Sequence, residues 1–194
     1  MKRVLLAFTA AVIAFSFLPA DKAEAFSLGG STRVLGTSPA LKKERQLTMT
    51  RAPKAYNLFC MNNPVECRSG GSDIITANYA LMQTLNKVNR GVNRSIKWVR
   101  DRNNVWKIGN RTGDCEDYAL TKRSRLMKLG VPAAALRMAI VKNQKGQGHA
   151  VLVVKTTKGD LVLDNVNNNI TLRESTAYRW IGIASANPYR WQLL

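Results

Sequence analysis

The sequence predicts an α+β domain, and three observations carry that prediction. Apolar residues recur at helical steps of three and four through the middle of the chain, then give way to β-branched runs separated by glycine-bearing turns. Helices followed by an antiparallel meander is the α+β pattern. No internal repeat is visible, and 194 residues suit one domain with a tail. The 45% hydrophobic content excludes wholesale disorder, and the composition excludes collagen-like, coiled-coil and multi-span membrane classes.

The first stretch reads as a signal peptide (1–25). Met1-Lys2-Arg3 is a basic start, and Val4 to Leu18 is an apolar run of about fifteen residues, shorter than the roughly twenty a spanning helix takes. Pro19 breaks it, and Ala23-Glu24-Ala25 supplies the small-x-small cleavage pattern. An exported chain starting at Phe26, in the periplasm or secreted, is the expectation. The chain carries 30 basic and 12 acidic side chains, net +18, and removal of the leader leaves it at about +17. Outside the cytosol that charge points away from nucleic acid and towards envelope polymers, lipid headgroups or acidic protein segments. The basic residues are scattered, so a solvated coat without a dedicated partner is the alternative.

Residues 26–51, rich in Ser, Thr, Gly and Lys without a sustained period, read as a flexible arm ahead of a domain at 52–194. Pro53 to Arg68 reads as an extended segment plus a loop. Export implies an oxidising compartment. Cys60 and Cys67 bracket a Pro-centred turn and would pair as a disulfide, leaving Cys115 over, either buried and inert or kept reduced for use. From Ser72 to about Asn89 a stripe of Ile74, Ala77, Leu81, Leu85 and Val88 predicts an amphipathic helix, with Ser72 as N-cap and Gly91 as its end. Residues 92–112 are polar and basic with Trp98 and Trp106 embedded, and have no clear period. A second helix is expected from Cys115 to Leu129, closed by Gly130 and Pro132. On it Arg123 falls within the buried face and needs a partner or an exit to solvent. Strands are expected at 136–141, 149–156, 161–166, 178–185 and 189–194.

The chemistry gathers at three points. Asp114 sits where an N-cap belongs, with Asp117 three residues on, resembling a capping box. Cys115 would open the helix, where unpaired N–H groups and the dipole lower a thiol pKa. Asp114, Glu116 and Asp117 oppose that shift, so a histidinium, a cation or outward-pointing carboxylates must offset them. The single histidine, His149, stands at a loop-to-strand edge, and Asp164 interrupts an apolar strand fifteen residues later. A hairpin closed at Lys158-Gly159 would put Asp164 opposite Val153. That is the face of His149 but about four residues along, near 13 Å away. Nucleophile, base and orienting carboxylate follow in that order.

Gly113-Asp-Cys-Glu-Asp-Tyr-Ala-Leu120, Gly148-His-Ala-Val-Leu152 and Leu161-Val-Leu-Asp-Asn165 resemble the signature segments of the bacterial transglutaminase-like cysteine proteinases. Phe59 to Cys67 resembles the upstream part of their alphaproteobacterial branch. The resemblance spans roughly residues 52–194. It implies a papain/transglutaminase-like fold, with the nucleophile at the start of a central helix packed on an antiparallel sheet. It assigns Cys115 as nucleophile, His149 as general base and acid, and Asp164 as orienter. In the adhesin-cleaving members the acidic residues beside the nucleophile bind calcium, which carries over to Asp114 and Glu116, with Asp117 as a third. It further implies a protein or peptide substrate such as a surface adhesin and a regulatory inner-membrane partner, while the basic charge suits an acidic substrate. Trp106 could line the cleft or assist the oxyanion, with core packing as the alternative. The same three residues are compatible with acyl transfer to an amine or amidase action on envelope peptides. A non-catalytic, cationic envelope-binding protein is the reading from another class.

Overall fold

The computed structural model describes residues 48–194; the expected leader and all but the end of the arm lie outside the described residues. One seven-stranded antiparallel sheet is built from β1 (Met49–Arg51), β4 (Leu136–Lys142), β5 (Gly148–Thr156), β6 (Gly159–Leu163), β7 (Thr171–Leu172), β8 (Arg179–Ala184) and β9 (Arg190–Leu193). Its spatial order is β1-β9-β8-β4-β5-β6-β7. The last three residues of the expected arm therefore form an edge strand, with Thr50 opposite Trp191. Helices α1 (Lys54–Asn62), α2 (Tyr79–Ser95) and α3 (Cys115–Lys128) accompany it, and β2 (Lys97–Trp98) pairs in parallel with β3 (Thr112–Gly113).

Strand alternation divides the sheet into two apolar faces. Met138, Leu152, Val154, Leu161 and Leu163 share a core with α1, α2 and α3. Val141, Val151, Val153, Val162 and Ile183 form a smaller cluster covered partly by Tyr178, Trp180 and Leu194. Among the described residues no helix is long and apolar enough to cross a membrane.

α3 is the central element. It begins at Cys115 and ends at Lys128, and Gly130 adopts a left-handed φ of 84° as its terminator. Nearly all of its side chains are buried, charged ones included. Arg123 is 2% exposed because it has found acceptors: Nε donates to Leu136 O, Nη1 to Glu66 O and Nη2 to Arg68 O. Glu66 lies in the turn Pro64–Cys67 and Arg68 just beyond it, and the Cys60–Cys67 disulfide closes that turn with a Cα separation of 5.4 Å. Cys115 is the free cysteine.

Two elements differ from expectation. Pro53–Arg68 is not extended: Pro53 precedes the helix α1, and Tyr56, Phe59 and Cys60 at helical spacing are its buried stripe. α2 starts six residues later than Ser72 implied. The Ser72 hydroxyl is bonded locally to Ile74 O, while Ile75 bridges to Thr156 of the sheet, and Asn78 Oδ1 caps the helix by accepting from Leu81 N at 2.8 Å. The helix also runs through Gly91 to Ser95, held by the buried Leu85, Val88 and Val92. Burial of that stripe outweighs the roughly 1 kcal/mol that an interior glycine costs.

Candidate active site

α3 sets the site's first residue. Asp114 has extended backbone angles and accepts the Asp117 and Tyr118 N–H groups on its main-chain oxygen, so Cys115 is the first helical residue as expected. The expected capping box is absent. The Asp114 side chain caps nothing in its own helix; Oδ2 instead accepts from Asp101 N at 3.1 Å. Asp117 Oδ1 accepts from Lys107 N at 2.7 Å. Both carboxylates fasten the loop that β2 and β3 bracket. Asp101 folds that loop from within, its carboxylate accepting from Asn103 N and Val105 N.

His149 and Asp164 come together. The hairpin turn is Thr157-Lys158, with Thr156 opposite Gly159 and Leu152 opposite Leu163, so the expected Lys158-Gly159 turn is corrected by one residue. That change slides the register by two, keeps Asp164 on the same face and halves its distance along the strand from His149. His149 Nε2 lies 2.8 Å from Asp164 Oδ1, and both side chains are nearly buried. Tyr178, just ahead of β8, donates its hydroxyl to Asp164 Oδ2, and its ring lies tilted 5.5 Å from the imidazole. Val166 N–H also donates to Asp164. Burial opposes the Asp164 charge, but the His149, Tyr178 and Val166 contacts outweigh it and hold the carboxyl below its ordinary range.

Cys115 faces the same opening. Two clefts of ≈ 440 and ≈ 530 Å³ share Arg100, Asp114, Cys115, Gly148 and His149 in their linings. One extends past Trp98 and Val166, the other past Lys54, Trp106 and Ile140. A groove thus crosses the thiol and the imidazole from two sides. Trp106 lines it while packing edge-on against Tyr56 in the core, 5.5 Å between ring centroids.

The thiol itself is not acidified. Cys115 Sγ donates to Glu116 Oε2 at 3.2 Å, and burial, followed by the charge and hydrogen bond of Glu116, pushes it up to about 12. The Ala150 backbone amide acts in the opposite direction and is outweighed. Burial first, and then a Glu116 carboxylate that is not turned away, override the effect expected of the helix start. Glu116 is itself raised to about 7 and Asp117 to about 6, first by burial, with the Asp114 charge adding to both.

Among the described residues no group of three His, Cys, Asp or Glu side chains is gathered to hold a metal ion. Asp114 and Glu116 do interact, and Asp114 Oδ1 is buried without a hydrogen-bond partner in the protein. Such hard oxygen donors, crowded and short of positive charge, fit an oxygen-preferring divalent cation. Asp117 is less free, because one oxygen serves Lys107 and its carboxylate lies over Gly113.

The profile of the bacterial transglutaminase-like cysteine proteinases matches residues 46–194. This chain is a member of that family. The proteinase also resembles solved structures of LapG from Legionella pneumophila. The calcium-bound form aligns at 25% identity and a TM-score of 0.53, over 58% of this chain and 68% of that one. A second LapG structure aligns at 26% and 0.49 (55% and 64% covered), and an EGTA-treated one at 24% and 0.47 (53% and 62% covered). No curated protein matches the chain. The proteinase is a cysteine peptidase with the papain-like α+β fold, and a protein is its substrate.

Asp101 and Tyr178 escaped sequence reading. Tyr178 adjoins a strand recognised as such, yet nothing local pairs it with Asp164 fourteen residues earlier. Asp101 carried a usable signal, a lone carboxylate in a basic stretch.

Proposed function

We propose that the proteinase is an exported, periplasmic enzyme that cuts a protein substrate through a Cys115–His149–Asp164 triad and an acyl-enzyme. The observation that supports this best is the His149–Asp164 hydrogen bond at the mouth of the groove that Cys115 also lines. With Nε2 engaged by Asp164, Nδ1 is the nitrogen left to take the thiol proton.

In the proposed reaction His149 removes the Cys115 proton as sulfur attacks the scissile carbonyl carbon. The oxyanion gathers at the Cys115 backbone N–H, one of the helix-start donors with no intrahelical acceptor. His149 then gives its proton to the leaving amine as the C–N bond breaks, leaving a thioester on Cys115. A water attacks that thioester, passes a proton to His149, and releases the carboxylate product and the thiol. Asp164, fixed by Tyr178 and Val166, keeps the imidazole oriented throughout.

The same reading gives the acidic residues beside the thiol to calcium, held by Asp114 and Glu116 with Asp117 as a third ligand. The calcium-bound LapG relative and the buried, unpartnered Asp114 Oδ1 support it. The ion would supply positive charge that stops these carboxylates from opposing thiolate formation. The substrate is proposed to be acidic or adhesin-like, matching the chain's basic surface. A regulatory inner-membrane partner belongs to the same proposal.

The test compares new protein termini in the envelope fraction of cells carrying wild type or Cys115→Ala, with and without a calcium chelator. Termini that vanish in the variant are expected. Identical terminus profiles would refute proteolysis, and an amine-labelled product exceeding the hydrolysed one would turn the reading towards acyl transfer.

A further inference from the structure

The residues just ahead of the nucleophile are bonded to a second extended segment, and that segment carries a cation to the groove. Lys97 N donates to Arg111 O at 2.8 Å, Val99 N to Gly113 O at 2.9 Å and Asp101 N to Asp114 Oδ2 at 3.1 Å. Arg100 is therefore anchored through both of its chain neighbours to the two residues that precede Cys115. In the parallel pair Trp98 stands opposite Gly113, and that register carried forward brings Arg100 towards Cys115. Of the basic residues along the groove, Arg100 lines both clefts and Lys54 one.

The Arg100 side chain is exposed and, among the described residues, makes no ion pair. Its acidic neighbours are otherwise engaged. Asp101 accepts from Asn103 N and Val105 N and pairs with Lys107 at 3.8 Å, while Glu116 holds the thiol. Asp114 and Glu116 would repel an acidic chain entering the groove, and Arg100 is placed to offset them. A guanidinium fixed beside the reacting atom, with no carboxylate of its own, offers a planar fork to one from outside.

Trp98 adds a second contact at a defined spacing. It stands two residues before Arg100, so along extended chain the two side chains leave on the same side, about 6.6 Å apart. Both line the cleft that reaches Val166, and Val99 between them lines neither cleft. Trp98 is 57% exposed and Val166 71%, so two large apolar side chains stand open in one cleft. An extended peptide has the same pitch, with alternate side chains facing one way. Exposed Trp and Arg are also the residue types that most often anchor a bound protein.

We propose that Arg100 selects a substrate carrying Asp or Glu within two residues of the scissile bond. Trp98 and Val166 receive an apolar side chain two positions further from that bond. The idea deepens the peptidase reading above and rests on Cys115 as its nucleophile.

Two measurements test it. In the first, wild type, Arg100→Gln, Arg100→Glu and Trp98→Ala digest a proteome-derived peptide library, and the new termini are sequenced by mass spectrometry. Wild type should show Asp or Glu enriched at one position beside the cut, with an apolar residue two places further out. Arg100→Gln should cut such peptides about tenfold more slowly and lose the acidic enrichment. Arg100→Glu should turn the preference towards Lys and Arg, and Trp98→Ala should lose the apolar preference alone. Wild-type cuts without acidic enrichment, or the same enrichment in Arg100→Gln, would overturn the proposal.

The second measurement needs no substrate. Cys115 is alkylated with anionic iodoacetate and with neutral iodoacetamide, and the ratio of the two rates is taken. Both reagents require the thiolate, so the ratio reports the charge around the sulfur and not its acidity. Arg100→Gln should lower the ratio about fivefold at low salt, and Arg100→Lys should keep most of it. An unchanged ratio in Arg100→Gln would overturn the proposal. A lowered ratio, in a protein whose wild type cuts no peptide, would refute proteolysis and leave Arg100 as the carboxylate-binding residue of the groove.

Discussion

At the level of single residues, the proposed triad sets His149 against Glu116 for the Cys115 proton. Glu116 holds the thiol by a direct hydrogen bond and a charge at 3.2 Å. Its removal should release the thiol. In Glu116→Gln the charge is gone, so the thiol pKa falls, and alkylation by iodoacetamide at pH 7 should quicken about tenfold for each pH unit of that fall. Equal rates in the two proteins would show that burial alone sets the thiol. Tyr178 makes a second, separable case. Its hydroxyl helps hold Asp164 below the usual carboxylate range, so Asp164 contributes stability that is present above its unfolded value near 3.9 and lost as pH falls through its folded value. Tyr178→Phe narrows that gap, and the acid-unfolding midpoint should move to higher pH. A hydrogen bond to a charged group is worth about 1.5–3 kcal/mol, which also bounds the loss of stability at pH 7.

Among the elements, α3 does more than present a sulfur atom: its charged side chains tie the surrounding loops together. Arg123 holds three backbone oxygens, on the disulfide turn, just beyond it and at the start of β4, while Ser124 Oγ donates to Glu66 at 3.0 Å. Arg123→Met would leave those carbonyls unpaired and should cost about 3 kcal/mol in urea unfolding. Cys60→Ser with Cys67→Ser opens a short ring and should cost about 2.5 kcal/mol on loop entropy. If the arginine variant were the milder of the two, the turn would owe its place to the covalent link. The limits of α3 were readable because Asp114, Gly130 and Pro132 are local signals. α2 was misplaced at its start because its cap competes with a tertiary event: Ile75 N bonds Lys155 O across the fold, which no local pattern records. α1 carried a readable period, hidden by a disulfide loop that drew the reading away from a helix.

For the whole molecule, the residues of the candidate site could be picked out from the sequence, and their electrostatic state could not. Cys115, His149 and Asp164 announce themselves by type and position, but burial and neighbouring charge are properties of the assembled fold. The sequence pointed to a Lys158-Gly159 turn that leaves His149 and Asp164 four residues apart along the strand, whereas the turn formed, Thr157-Lys158, brings them together. Those buried charges give a prediction for stability against pH. Glu116 and Asp117 have folded values raised to about 7 and about 6, so between about pH 4 and pH 7 the folded state binds more protons than the unfolded one. Stability from these two groups therefore falls as pH rises through that window. Lys122 has a folded value lowered to about 7 against about 10.4 unfolded, so the unfolded state binds the extra proton above neutrality, and this contribution recovers as pH rises from about 7 to 10. Together they carve a minimum near neutral pH in a protein whose other groups would favour that range. Thermal melts across pH 5–9 should show the dip, and Lys122→Met should remove its alkaline side. Glu116→Gln with Asp117→Asn should remove its acid side, and millimolar calcium should fill that same side if the carboxylates bind the ion. A melt profile that peaks smoothly at neutrality in wild type would mean these groups escape the charge cost that their burial imposes here.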